Sequence, residues 1–211
     1  MRQRHIKNIE ERIKLNSSYL VDDPKALKGH WRELFGNDNP LFLEIGCGKG
    51  QFIMKKSEEE KNCNFIACEG NRDVILRTLE KAEEKKLPNV RIFNEYIHDI
   101  TEYFEKDELD GIYLNFSDPW TKARQAKRRL TYHKTLEKYK AVLKKDSCIE
   151  FKTDNDALFD FSLEEIEIQG YEILEMTRDL HASNFYSANF KTEYEEKFMA
   201  LGKAINYVKF R

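Results

Sequence analysis

The chain has 211 residues, 40% of them hydrophobic and including 14 Phe and 10 Tyr, enough apolar mass for the single core that serves roughly 100–200 residues. Its 36 basic and 38 acidic side chains nearly cancel to a net charge of −2, which excludes a globally basic nucleic-acid binder and leaves room for a local basic patch. No run of roughly 18 apolar residues occurs, the start Met1-Arg2-Gln3-Arg4-His5 lacks a signal peptide's apolar stretch, and Cys47, Cys63, Cys68 and Cys148 form no CxxC pair; the expectation is a cytoplasmic chain with reduced thiols, no membrane span and no metal site.

Residues 1–30 are polar and mixed in charge, and Met1 to Lys14 carries five Arg or Lys against two Glu, a locally basic arm. A short helix is expected at 24–35, with Pro24 in its first turn and Gly36 behind it. After Pro40 the pattern turns to alternating units. Short apolar runs at 41–45, 65–69, 90–93, 111–116 and 148–152 read as strands. Helices are expected between them near 50–60, 71–86, 99–105 and 131–144, with another at 156–169 closed by Gly170. Residues 171–176 and 204–210 complete the sheet. Such alternation predicts an α/β fold, a mostly parallel sheet with helices on both faces. No linker splits it, so 1–211 is expected to be one domain, with an arm and helix over 1–35 and the core over 40–211.

The strongest local signal is Leu43-Glu44-Ile45-Gly46-Cys47-Gly48-Lys49-Gly50, glycines after a strand and before a helix. Without Cβ atoms they turn sharply and let backbone approach a ligand. The spacing is GxGxG, not the GxGxxG of a dinucleotide site, and no GK[ST] marks an NTPase. Glu44 would repel a pyrophosphate but suits the ammonium of a methionine moiety. Glu69, ending the next strand, is placed to accept from two ribose hydroxyls. The rival readings are a bare βα turn and a nicotinamide enzyme.

Four further clusters lie downstream. Leu114-Asn115-Phe116-Ser117-Asp118-Pro119-Trp120-Thr121-Lys122 leaves the fourth strand at the sheet's carboxyl edge, where open α/β folds bind ligands; alone it would equally suit a surface turn. Lys122, Arg124, Lys127, Arg128 and Arg129 then place five cations in eight residues without an acid, a natural phosphate contact or else a solvated face. Phe151-Lys152-Thr153-Asp154-Asn155 ends the fifth strand, and Thr192-Glu193-Tyr194-Glu195-Glu196-Lys197-Phe198 is a dense polar run near the C-terminus. Either reads as pocket lining or as a simple cap. His5, His30, His98, His133 and His181 match no catalytic pair, and Trp31 reads as packing.

Together these motifs, in this order and over about residues 40–200, closely resemble bacterial tRNA (guanine-N7)-methyltransferases, members of the class I S-adenosylmethionine-dependent superfamily. The resemblance implies a Rossmann-like seven-stranded sheet with the last strand antiparallel. It implies S-adenosyl-L-methionine as cofactor and tRNA as partner, with guanine 46 of the variable loop as the target. It assigns the cofactor to Glu44, Gly46, Gly48, Gly50, Glu69 and Asp118, and the reaction centre to Asp118. Lys122, Asp154, Thr192, Glu193, Tyr194 and Glu195 would face the substrate, while Arg124, Lys127, Arg128 and Arg129 would hold RNA. Two departures stand out. Tyr96, beside Glu95, occupies the place of an acid that binds adenine in the family, so Glu95 or backbone near Tyr96 is expected to hold the base. Thr121 replaces a proline. An adenine or protein amino methyltransferase is disfavoured because Trp120, not a second proline, follows Pro119; a tRNA-binding module without chemistry is the rival from another class. A monomer and a homodimer stay equally open.

Overall fold

A computed structural model of the chain describes residues 6–211. The basic-arm cations Arg2 and Arg4, with His5, lie outside the described residues. Seven strands form one sheet: β1 (Leu41–Ile45), β2 (Asn64–Cys68), β3 (Val90–Phe93), β4 (Leu109–Asn115), β5 (Leu143–Thr153), β6 (Ile173–Thr177) and β7 (Asn206–Phe210). Their order is β3-β2-β1-β4-β5-β7-β6, and β7 alone runs antiparallel to its neighbours. The chain winds outward one way from β1 and the other way from β4. The crevice between the carboxyl ends of these two strands is therefore the topological switch point.

The central strands are apolar on both faces because helices cover both. On one side Trp31, Phe93, Phe104, Leu136, Tyr139, Phe151 and Phe159 pack beneath α2 (Trp31–Phe35), α5 (His133–Val142) and α6 (Asp156–Ile168). On the other, Phe52, Ile53, Phe65, Ile75, Leu76 and Leu79 pack beneath α3 (Gln51–Glu59) and α4 (Arg72–Lys85). Trp31 is wholly buried and its indole N–H donates to the Tyr103 carbonyl at 2.9 Å, the packing role expected of it.

The elements depart from the sequence expectation where distant residues decide local shape. The helix expected at 24–35 is a 3-10 turn (Lys25–Leu27) and then α2, broken at Gly29, whose φ is +80°. Glu108 holds that break: its two carboxylate oxygens accept from the amides of Gly29 (3.0 Å) and Trp31 (3.3 Å). The helix expected at 99–105 is one 3-10 turn, Ile100–Glu102, capped by Asp99. Strand β5 begins directly after α5, at Leu143, and runs eleven residues. Two α-helices among the described residues were not foreseen. Helix α1 (Ile9–Leu15) packs Ile13 onto the α3–α4 side, and α7 (Glu193–Ala200) spans the polar run near the C-terminus.

Candidate active site

The turn after β1 is built from three glycines in left-handed conformation, Gly46 (φ 76°), Gly48 (58°) and Gly50 (78°), a region costly for other residues. The amides of Gly46 and Cys47 both donate to the Cys68 carbonyl at 2.9 Å, tying the turn to β2. A Cβ on Gly50 would lie 2.5 Å from Thr78 Cγ2, and the Thr78 hydroxyl donates to the Gly48 carbonyl at 2.9 Å. The turn is thus folded down on α4. Cys47 within it is buried, and that burial pushes its thiol far above the usual range, so it is no nucleophile.

Two carboxylates flank the turn. Glu69 accepts from the Gly48 amide at 3.2 Å and from the Asn71 amide at 2.9 Å, and burial nevertheless raises its pKa. Glu44 is only 1% exposed. One of its oxygens accepts from Asn115 Nδ2 at 2.8 Å, whereas among the described residues nothing donates to Oε2. Burial pushes this carboxyl up to about 7, against the opposing pull of the Asn115 hydrogen bond and the Lys152 charge. A buried acceptor without a donor is costly, and here the cost sits beside a glycine cradle.

Across the crevice, the loop leaving β4 places two non-glycine residues in the left-handed region, Phe116 (φ 52°) and Trp120 (40°), strain of the kind that concentrates at functional sites. Asp118 lies exposed between them, and its charge raises the pKa of Glu69 and of the Tyr96 hydroxyl, both of which burial has already raised more strongly. Arg129 props the loop from behind. Its Nε donates to the Pro119 carbonyl (3.0 Å), its Nη2 to the Trp120 carbonyl (3.1 Å), and its guanidinium lies 4.2 Å from the Phe161 ring centre. Arg128 stacks on Trp120 at 4.8 Å. Lys122, Arg124, Lys127 and Arg128 remain exposed along the 3-10 segment Ala123–Arg128. The five cations thus divide into four outward charges and one internal strut.

The C-terminal motif also divides. Thr192 caps α7, accepting from the Glu195 amide at 2.9 Å. Glu195 is fully buried, bonded to Lys152 Nζ (3.1 Å), His181 Nε2 (3.0 Å) and the Asn189 amide. Lys152 donates as well to Asn189 Oδ1 and the Phe190 carbonyl, both at 2.9 Å. This latch docks the segment before α7 onto β5. Glu193 pairs with Lys81 at 2.6 Å, and Tyr194, exposed, stacks 6.3 Å from Phe116. Asp154 sits half-buried just past β5. Glu95 accepts from the Tyr103 hydroxyl at 2.5 Å and lines a cavity with Gly70, Asn94 and residues near α1.

The carboxyl ends of β1 to β4 therefore gather Glu44, the glycine turn, Glu69, Glu95, Tyr96 and Asp118. Sequence reasoning passed over Asn115, Lys152, His181 and Asn189. Asn115 and Lys152 stand inside the quoted motifs, a usable signal; His181 and Asn189 carried none.

A family model described as a putative methyltransferase matches residues 38–208. The chain is 45% identical to a tRNA (guanine-N(7)-)-methyltransferase of Bacillus cytotoxicus, over 97% of this chain and 94% of that protein. It is 46% identical to the like-named protein of Lachnoclostridium phytofermentans, over 98% and 96%. Among solved structures it is similar in fold to the 16S rRNA methyltransferase KamB, with a TM-score of 0.64 at 10% identity over 86% of this chain and 91% of that one.

Proposed function

This chain belongs to the tRNA (guanine-N(7)-)-methyltransferase family, and from that premise we propose that it methylates N7 of guanine 46 in the variable loop of tRNA, using S-adenosylmethionine. The observation that carries the reading is the unpartnered, buried Glu44 Oε2 beside the glycine turn. An α-ammonium group supplies the donor this oxygen lacks and the positive charge that brings its carboxyl back to the ionised form. Glu69, besides the backbone amides it already accepts from, keeps acceptor capacity for ribose hydroxyls. Left-handed glycines leave the space above the turn open to backbone contact.

The cofactor supplies a methyl group already activated on a sulfonium. Guanine N7 carries a lone pair and no proton, so no base need strip it. What the chain contributes is alignment. Asp118, exposed on a strained loop that Arg129 props, accepts from guanine N1–H or its amino group and fixes which edge faces the methyl. Phe116 and Tyr194 wall the same side through their stacked rings. Lys122 and Asp154 face the substrate, while Arg124, Lys127 and Arg128 neutralise phosphates around it. Arg129 and Glu195 serve as supports of that surface. The core over 40–211 carries the chemistry and the arm over 1–35 adds basic contacts, in the cytoplasm, where four free thiols stay reduced.

Two tRNA transcripts, one with guanine 46 and one with adenine there, incubated with the protein and methyl-labelled cofactor, test the assignment. Labelled 7-methylguanosine is expected from the first alone. Label in both, or in neither, overturns it.

A further inference from the structure

Tyr96 is 64% exposed, although a tyrosine ring gains by burial. The ring is not loose on the surface. It lies flat against Gly70, so closely that a Cβ built on this glycine would come within 2.3 Å of two ring carbons, Cγ and Cδ2. Gly70 is absent from the glycines with positive φ, so its backbone shape does not demand glycine; the ring above it does. One face of Tyr96 is sealed on backbone and the other is open.

The location says what the open face meets. Gly70 directly follows Glu69, the acid that in a doubly wound fold holds the two ribose hydroxyls. The base of a nucleoside hangs from the carbon next to those hydroxyls, so it projects past the acid toward the following loop. On Gly70 of that loop lies Tyr96, which comes from the loop after β3. Partial burial and then the charges of Glu69 and Asp118 raise the pKa of its hydroxyl, which therefore feels both the ribose acid and the reaction centre.

We propose that Tyr96 is a stacking platform for the cofactor's purine, which is thereby held by its face, and that Gly70 is glycine to seat the platform. This rests on the cofactor reading above. Aromatic stacking on a nucleobase alters affinity by about 5- to 150-fold on truncation to alanine, and a phenyl ring supplies it as well as a phenol.

The test compares two thioethers by titration calorimetry, S-adenosylhomocysteine and S-ribosylhomocysteine, which lacks the base. Neither carries a sulfonium, so cation–π attraction is removed from the comparison. Tyr96→Ala is expected to weaken S-adenosylhomocysteine at least fivefold and to leave S-ribosylhomocysteine within twofold. Tyr96→Phe should bind both like the parent chain, and Gly70→Ala should mimic Tyr96→Ala by displacing the ring. Equal losses for the two ligands in Tyr96→Ala would overturn the platform, since the ring would then only brace the Glu69 turn. So would no loss at all, a tRNA-binding defect without a cofactor defect, or a Tyr96→Phe loss as large as that of alanine. Failure of the parent chain to bind S-adenosylhomocysteine would instead bring down the cofactor reading and this inference with it.

Discussion

Replacing Glu44 with glutamine removes a charge that folding forces into the sheet's edge without a full set of partners. The parent carboxyl is raised from an ordinary 4.5 to about 7, burial being the dominant cause. Between these values the native chain holds a proton that the unfolded chain has released. The unfolded state binds fewer protons there, so stability falls as pH rises through the window. At about 1.4 kcal/mol per pH unit, the loss approaches 3 kcal/mol by pH 8. Glutamine keeps the acceptor for Asn115 Nδ2 and does not titrate. Urea unfolding of both chains at pH 5, 6, 7 and 8 measures the effect as a double difference, in which other carboxylates largely cancel. The variant's stability relative to the parent should climb by about 3 kcal/mol from pH 5 to pH 8. Parallel pH profiles would mean that the carboxyl is no more costly folded than unfolded, and would rule the burial penalty out. A saturating thioether cofactor product should stabilise the parent at pH 8 more than the glutamine variant, the difference being the ammonium contact.

The other predictions separate contacts from supports. Asp118→Ala should cut turnover at least about 100-fold while leaving the Kd for tRNA, read by filter binding, within twofold; retained turnover refutes its role. Lys127→Ala with Arg128→Ala should reduce the slope of log K against log salt by about two, whereas Arg129→Ala should leave that slope nearly unchanged and lower thermal stability, as the carbonyls of Pro119 and Trp120 lose their donor. Lys152→Met should cost about 3–5 kcal/mol in urea unfolding by stranding a buried Glu195 charge, and Glu195→Gln in the same chain should return most of it. If the double variant is no better than the single one, the pair is not coupled as its 3.1 Å contact implies.

The sheet was legible because its middle strands are short, mainly apolar runs, Leu41–Ile45 and Asn64–Cys68 among them, closed by glycine or acid. The glycine turn was legible because left-handed backbone leaves glycine as the cheap choice. Gly29 misled in the opposite way, since the break it makes is held by Glu108, 79 residues away, and no local propensity encodes that partner. Helix α1 escaped notice because its apolar face is only a few isoleucines in a basic arm, and it is packing on α4 that rewards them. Among the site residues, charge type marked Arg129 and Glu195 as contacts for RNA or substrate. Their partners are loop carbonyls and a buried lysine, which only the folded chain assembles.

Whether the crevice between Glu44 and Asp118 is a methionine-nucleoside site is decided by a crystal structure of the chain with S-adenosylhomocysteine. The ligand's α-amino nitrogen is expected at about 3 Å from the Glu44 carboxylate, with both ribose hydroxyls on Glu69. An amino group turned away from Glu44, or a ligand seated elsewhere on the sheet, would contradict it.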